Sequence, residues 1–173
     1  MVKKVATRVA YGEALLELGR KHKDIVVLDA DLSACTKTEQ FAEEFPERYY
    51  NVGIAESNMV GIAAGLATCG KIAVVNSFAM FSAGRAFEQI RNSVAYPNLN
   101  VKIVGTHAGL SVGEDGATHQ CLEDMGILRT VPNMAILCPA DAVETHHAVA
   151  AAIDHEGPVY IRLGRSPVEI VND

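Results

Sequence analysis

Six short apolar runs, separated by segments of helical periodicity, constrain this chain more than any single motif does. The runs are "DIVVLDA" (24–30), "RYYNVGI" (48–54), "KIAVVNSF" (71–78), "NVKIVGT" (100–106), "MAILCP" (134–139) and "PVYIRLG" (158–164). Most are apolar without alternation, the pattern of strands covered on both faces. Helical spacing fills the gaps. In "TRVAYGEALLELGRKH" (7–22), Val9, Ala10, Ala14, Leu15 and Leu18 recur on one side. In "ESNMVGIAAGLATCG" (56–70), Met59, Ile62 and Leu66 align, with Gly70 as the stop. Further helices are predicted over 38–44, 83–96, 121–131 and 141–155. Strands joined through helices require crossovers, so the expected fold is three-layer α/β/α with a mostly parallel sheet. A chain of 173 residues suits one such domain, spanning 1–173.

Open parallel sheets bind ligands beyond the C-terminal ends of their strands. That rule brings Asp31, Glu56, Phe78, His107 and Arg165 to one rim, each after a different run. His107 also opens the polar loop "THAGLSVGEDGATHQ" (106–120), which carries Asp115 and His119 and is longer than most connections. Each candidate alone has an ordinary explanation. Glu56 in a first helical turn suits the helix dipole. Phe78 and Phe81, three apart, suit one core-facing side of a helix. Histidines are common in loops, and His146 and His147, within a helical pattern, are expected to face solvent. Walker and G-x-G-x-x-G motifs are missing.

Charge narrows the partners. A net charge of −6 without a block of Lys or Arg argues against nucleic acid. The apolar runs are too short to span a bilayer, and charges break residues 1–20 throughout. A cytoplasmic protein is therefore expected. Cys35, Cys69, Cys121 and Cys138 form neither a C-x-x-C pair nor a zinc spacing. They are expected as free thiols, with Cys69 and Cys138 packed as small hydrophobes.

The segments "NVGIAESNMVGIAAGLA" and "GLSVGEDGATHQ" resemble the pyrimidine-binding domain of transketolases. Those thiamine diphosphate enzymes move two-carbon ketol units between sugar phosphates. The resemblance runs from about Ala6 to Arg165 and is especially close to the separately encoded C-terminal half of a split transketolase. It implies that Glu56 hydrogen-bonds N1′ of the cofactor's aminopyrimidine ring and promotes loss of the thiazolium C2 proton. It implies apolar contacts to that ring from Phe78 and Phe81, and a cofactor lining that includes Asp31 and Ile54. His107, Asp115 and His119 would meet the sugars, the two histidines passing protons because imidazoles ordinarily titrate near neutrality. Arg8 and Arg165 would bind the sugar phosphate through their guanidinium forks.

The resemblance also implies what lies elsewhere. Transketolases hold the diphosphate and a divalent metal such as Mg2+ through a G-D-G…N motif on another domain, and this chain has no such motif. No metal ligand is assigned to it. The expectation is half a cofactor site, with the diphosphate and C-terminal domains absent from this chain and no activity without a diphosphate-binding partner. A homodimer is expected through Gly61, Ala63, Ala64 and Gly65, small residues that allow close helix approach; packing of the same residues within the chain is the alternative. Departures from the family pattern are Cys35 for a serine, Ala108 for an aspartate, and Gly84 where a third aromatic often lies, with Phe87 placed to compensate. Three other readings remain open at this point. Deoxyxylulose-phosphate synthases share "GIAE" and a segment like "DGATHQ"; 2-oxoacid dehydrogenase beta subunits share the fold and the glutamate. A non-catalytic assembly domain is the third.

Overall fold

The computed structural model describes residues 3–172. Its first half runs β1 (Lys4–Val5), α1 (Thr7–Lys21), β2 (Ile25–Asp29), α2 (Ser33–Thr36), α3 (Glu39–Glu44), β3 (Tyr49–Asn51), α4 (Glu56–Thr68) and β4 (Ile72–Phe78). The second half runs α5 (Phe87–Gln89), β5 (Val101–Thr106), α6 (Asp124–Leu128), β6 (Ala135–Leu137), α7 (Ala142–Asp154), β7 (Val159–Arg162) and β8 (Val168–Glu169). Six strands form one parallel sheet in the order β3-β2-β4-β5-β7-β6. The expected fold class holds, with most strand ends trimmed by one to three residues. The short antiparallel ribbon of β1 with β8 was not expected; two residues per strand are too few to show a period.

Both faces of the sheet are covered. Every residue of β2 is buried. Val26 and Leu28 join Met59, Ala63, Ile90 and Ile103 in one core, while Ile25 and Val27 join Tyr11, Leu15, Phe41 and Ile153 in the other. Fully burying each aliphatic side chain is worth about 1.5–3 kcal/mol, and doing so on both faces accounts for the unbroken apolar runs. In α4 the buried stripe is Met59, Val60, Ala63 and Ala64, whereas Ile62, expected alongside Met59, turns to solvent at 38% exposure. Gly70 stops this helix as expected, at φ +79°.

Two expectations need correction. The segment 83–96 is not one α-helix. It forms a π-helical turn at Phe81–Arg85, the short α5, and a second π-helical turn at Ile90–Ala95. Each π turn takes an extra residue, which periodicity at 3.6 cannot register, and such turns concentrate at functional sites. The thiols also sort differently. All four are free, but Cys69 and Cys138 are exposed and Cys121 is the buried one, its thiol pushed up to about 11 by burial. Cys69 lies at the solvent end of α4 and Cys138 follows the sheet-edge strand β6, so neither has a core beside it. Among the described residues no helix is long and apolar enough to cross a membrane.

Candidate functional site

Sheet order reverses between β2 and β4, since β3 lies outward from one and β5 outward from the other. Open α/β sheets bind ligands at such a switch point. A cavity of about 280 Å3 opens there, lined among others by Asp31, Ile54, Glu56, Phe78, Phe81 and His119. Residues from the ends of β2, β3 and β4 and from the polar loop therefore converge. Ligand cavities run to about 300–1,000 Å3, so this one matches a single ring rather than a whole extended cofactor.

Glu56 is the first residue of α4, where an acid complements the dipole, yet it is 4% exposed. A carboxylate serving only the dipole would stay in water, because burying it is costly without a partner. The partner is Arg85, whose Nη1 donates to Glu56 Oε1 at 3.0 Å. Phe78 and Phe81 stack at 5.7 Å between ring centroids, and Arg85 lies over Phe81 at 4.0 Å. The expected apolar surface is present on one side of Glu56, and a guanidinium stands on another. Ile54 lines the cavity while 75% exposed.

Asp31 reaches the cavity through a strained backbone, at φ +64°. Asn51, at the end of β3, holds it there: Asp31 N–H donates to Asn51 Oδ1 at 3.1 Å and Asn51 Nδ2 donates back to Asp31 Oδ1 at 2.9 Å. Beneath it, buried Asp29 accepts from Thr36, Thr38 and the Leu32 N–H, which pins the turn after β2. Burial raises the Asp29 pKa and these hydrogen bonds oppose the rise.

His107 directly follows β5 with φ +57°, is buried, and packs tilted against Phe78 at 3.9 Å between ring centroids. His119 meets the edge of Phe81 at 5.1 Å. The two histidines and two phenylalanines, four separate candidates in the sequence, thus form one cluster. Burial, then the Arg8 and Arg165 cations, lower the pKa of His107 to about 4. Its ring is neutral, with Nδ1 hydrogen-bonded to Thr106 Oγ1 at 2.9 Å. NMR titration of the ring is expected to give a midpoint near 4, and one above 6 would refute the burial argument. Unfolded, this histidine binds a proton near its ordinary 6.5, so between about 6.5 and 4 the unfolded state holds more protons and stability falls as pH falls.

Asp115 stays apart. It is exposed in the 3-10 segment Gly113–Thr118 and acts on His107 only through its charge. Arg8 and Arg165 are together: Arg8 Nε donates to the Arg165 carbonyl at 3.3 Å and Nη1 to the Cys35 carbonyl at 2.8 Å. Arg165 Nη2 donates to Glu114 Oε1 at 3.0 Å. Both arginines line a larger cavity of about 630 Å3 with Lys4, Glu13 and His146. His147 is exposed as expected, but His146 is half-buried at this cavity. Phe87 does not compensate for Gly84: it packs into the core beside α4, and Arg85 takes the pocket position.

Sequence reasoning missed Arg85, Asn51, Asp124 and Arg162. Arg85 left a signal, being the one charge between Lys71 and Glu88. The Asn51 signal is weaker, a polar residue closing an apolar run. Asp124 and Arg162 meet only in the fold, where Asp124 Oδ2 accepts from Arg162 Nε at 2.9 Å.

The family model described as "Transketolase, pyrimidine binding domain" matches residues 3–169. A transketolase C-terminal section of Methanocaldococcus jannaschii is 57% identical over 164 residues, 95% of this chain and 52% of that protein. The 6-deoxy-6-sulfo-D-fructose transketolase subunit of a Clostridium species is 44% identical, covering 92% of this chain and 50% of its own length. A solved structure described as a split-gene transketolase, inactive beta4 tetramer, superposes with TM-score 0.88 at 58% identity over 98% of this chain and 54% of that one. The chain thus spans about half the length of these relatives.

Proposed function

Because the chain belongs to the transketolase family as a pyrimidine-binding domain, we propose that it supplies half of a thiamine diphosphate site and, with a diphosphate-binding subunit, transfers two-carbon ketol units between sugar phosphates. The observation that carries this reading is Glu56, buried at 4% exposure at the head of α4 in a ring-sized cavity walled by Phe78 and Phe81. An acid sharing a cavity with two apolar rings fits a flat heterocycle that needs one hydrogen bond at a ring nitrogen. The family implies thiamine diphosphate. That cofactor supplies the acidic thiazolium carbon and the electron sink for breaking and making the ketose carbon–carbon bond.

The protein's own part is binding and proton control. Glu56 holds a proton between its carboxyl and N1′ of the pyrimidine. Phe78, Phe81 and Ile54 exclude water from that ring, and Asp31 closes the edge. His107, neutral, offers Nε2 to a sugar oxygen while Thr106 occupies Nδ1. His119 and Asp115 line the approach. Arg8 and Arg165 bind the substrate phosphate, for which Arg165 must release Glu114. The metal, such as Mg2+, belongs to the partner subunit.

Mixing supplies the test. The isolated chain is expected to give no ketol transfer and to gain it on addition of a diphosphate-binding subunit; robust turnover alone would overturn the reading. Inactivity in the split-gene tetramer supports this expectation. A ketose donor should serve and pyruvate should not, which separates ketol transfer from the deoxyxylulose-phosphate synthase and oxoacid dehydrogenase alternatives.

Self-association belongs to the same reading. In α4, Ala63 and Ala64 face the sheet, but Gly61 and Gly65 are exposed with open space beside them. We assign this outer face to a second copy, as a homodimer. Light scattering should return at least two copies, and Gly65→Trp should shift the mass toward one; a strict monomer at high concentration would refute the assignment.

A further inference from the structure

We propose that Arg85 is the positioning residue for Glu56, fixing the carboxyl so that the pyrimidine ring meets a preset hydrogen-bond partner. The proposal rests on the reading of Glu56 given above. The contact is one-sided in a telling way. Glu56 is buried, while the Arg85 side chain is 52% exposed and reaches inward to it. An arginine free to point into solvent instead spends its Nη1 on Glu56 Oε1 at 3.0 Å.

Two further contacts fix where that guanidinium lies. Its Cζ lies over the Phe81 ring, 4.0 Å from the centroid, which limits the rotamers it can sample. Its backbone is tied to the same helix end, since Ser57 Oγ donates to the Arg85 carbonyl at 2.9 Å. The π-helical turn Phe81–Arg85 makes both possible by carrying the ring and the cation to the rim together. Glu56 and Ser57, the first two residues of α4, are therefore both held by Arg85, one through its side chain and one through its carbonyl. A carboxylate accepts at two oxygens, and Arg85 engages Oε1.

Arg85 lines the cavity as well as holding Glu56, and a mutant cycle separates action through Glu56 from direct contact with the ring. In the enzyme reconstituted with its diphosphate-binding subunit, the cofactor dissociation constant is measured by calorimetry alongside turnover. Arg85→Gln should weaken cofactor binding about tenfold and Arg85→Lys about threefold, because lysine restores charge without the planar stack. In a Glu56→Ala background, which removes the acceptor altogether, Arg85→Gln should change the constant by less than about twofold. An equal loss in both backgrounds would mark Arg85 as support for Phe81 alone and overturn the proposal. So would unchanged or tighter binding in Arg85→Gln, the latter showing the ion pair to be a block that the cofactor displaces. If Glu56→Gln by itself leaves cofactor affinity and turnover at wild-type values, the functional reading fails instead.

Discussion

Glu56→Gln, in the enzyme reconstituted from this chain and a diphosphate-binding subunit, is expected to lower kcat for ketol transfer by about 10²–10⁴-fold, the range for removing a positioned proton-transfer group. The substitution is nearly isosteric. Glutamine keeps the volume beside Phe78 and Phe81 and can still accept from Arg85 through its amide oxygen. What it loses is the exchangeable proton. An amide can donate to a ring nitrogen but cannot hand over and recover a proton there. The helix loses a favourable N-terminal charge, worth about 0.3–1 kcal/mol, so the melting temperature should barely move. Loss of turnover with retained folding is the expected pair of results. Turnover within threefold of wild type would remove Glu56 from the chemistry.

The sequence made the scaffold of this site legible because the scaffold is built by simple periodicities. Continuous apolar runs such as "IVVLD" announce strands covered on both faces, and the rule for sheet rims then collects Asp31, Glu56 and Phe78 at one edge, with His107 packed on Phe78. Periodicity could not register the π turns, because a widened turn shifts every later residue out of the 3.6 pattern. The family resemblance points to Phe87 for the pocket and passes over Arg85, the residue the widened turn delivers. The histidine chemistry was illegible for a different reason. The pKa of His107 depends on burial under Phe78 and on two arginines, one near each end of the chain, and only the fold brings these together. Asp124 and Arg162 are likewise 38 residues apart and carry no shared motif.

That last pair carries the largest expected effect on stability. Asp124→Ala should cost about 3–5 kcal/mol, or roughly 6–20 °C in Tm for a chain of this size, as removal of one partner from a buried ion pair does. Asp124 is fully buried, and its Oδ2 accepts from Tyr160 Oη at 2.8 Å and from Arg162 Nε at 2.9 Å. Alanine leaves a buried hydroxyl and a guanidinium facing a gap. The consequence travels outward along Arg162, whose Nη2 donates to the Cys121 carbonyl at 3.3 Å. Cys121 pairs with Gly109 in the antiparallel bridge that closes the polar loop near its ends. The loop bearing His107, Asp115 and His119 is therefore tethered to the sheet through Asp124, whereas Glu56 is held by α4 and Arg85. Asp124→Ala should accordingly raise KM for the sugar phosphate more than it weakens cofactor binding, since the Glu56–Arg85 contact does not depend on the loop. Asp124→Asn, which keeps one acceptor oxygen but no charge, should fall between. A melting temperature unchanged by Asp124→Ala, or equal losses in sugar and cofactor binding, would show that the loop is anchored elsewhere.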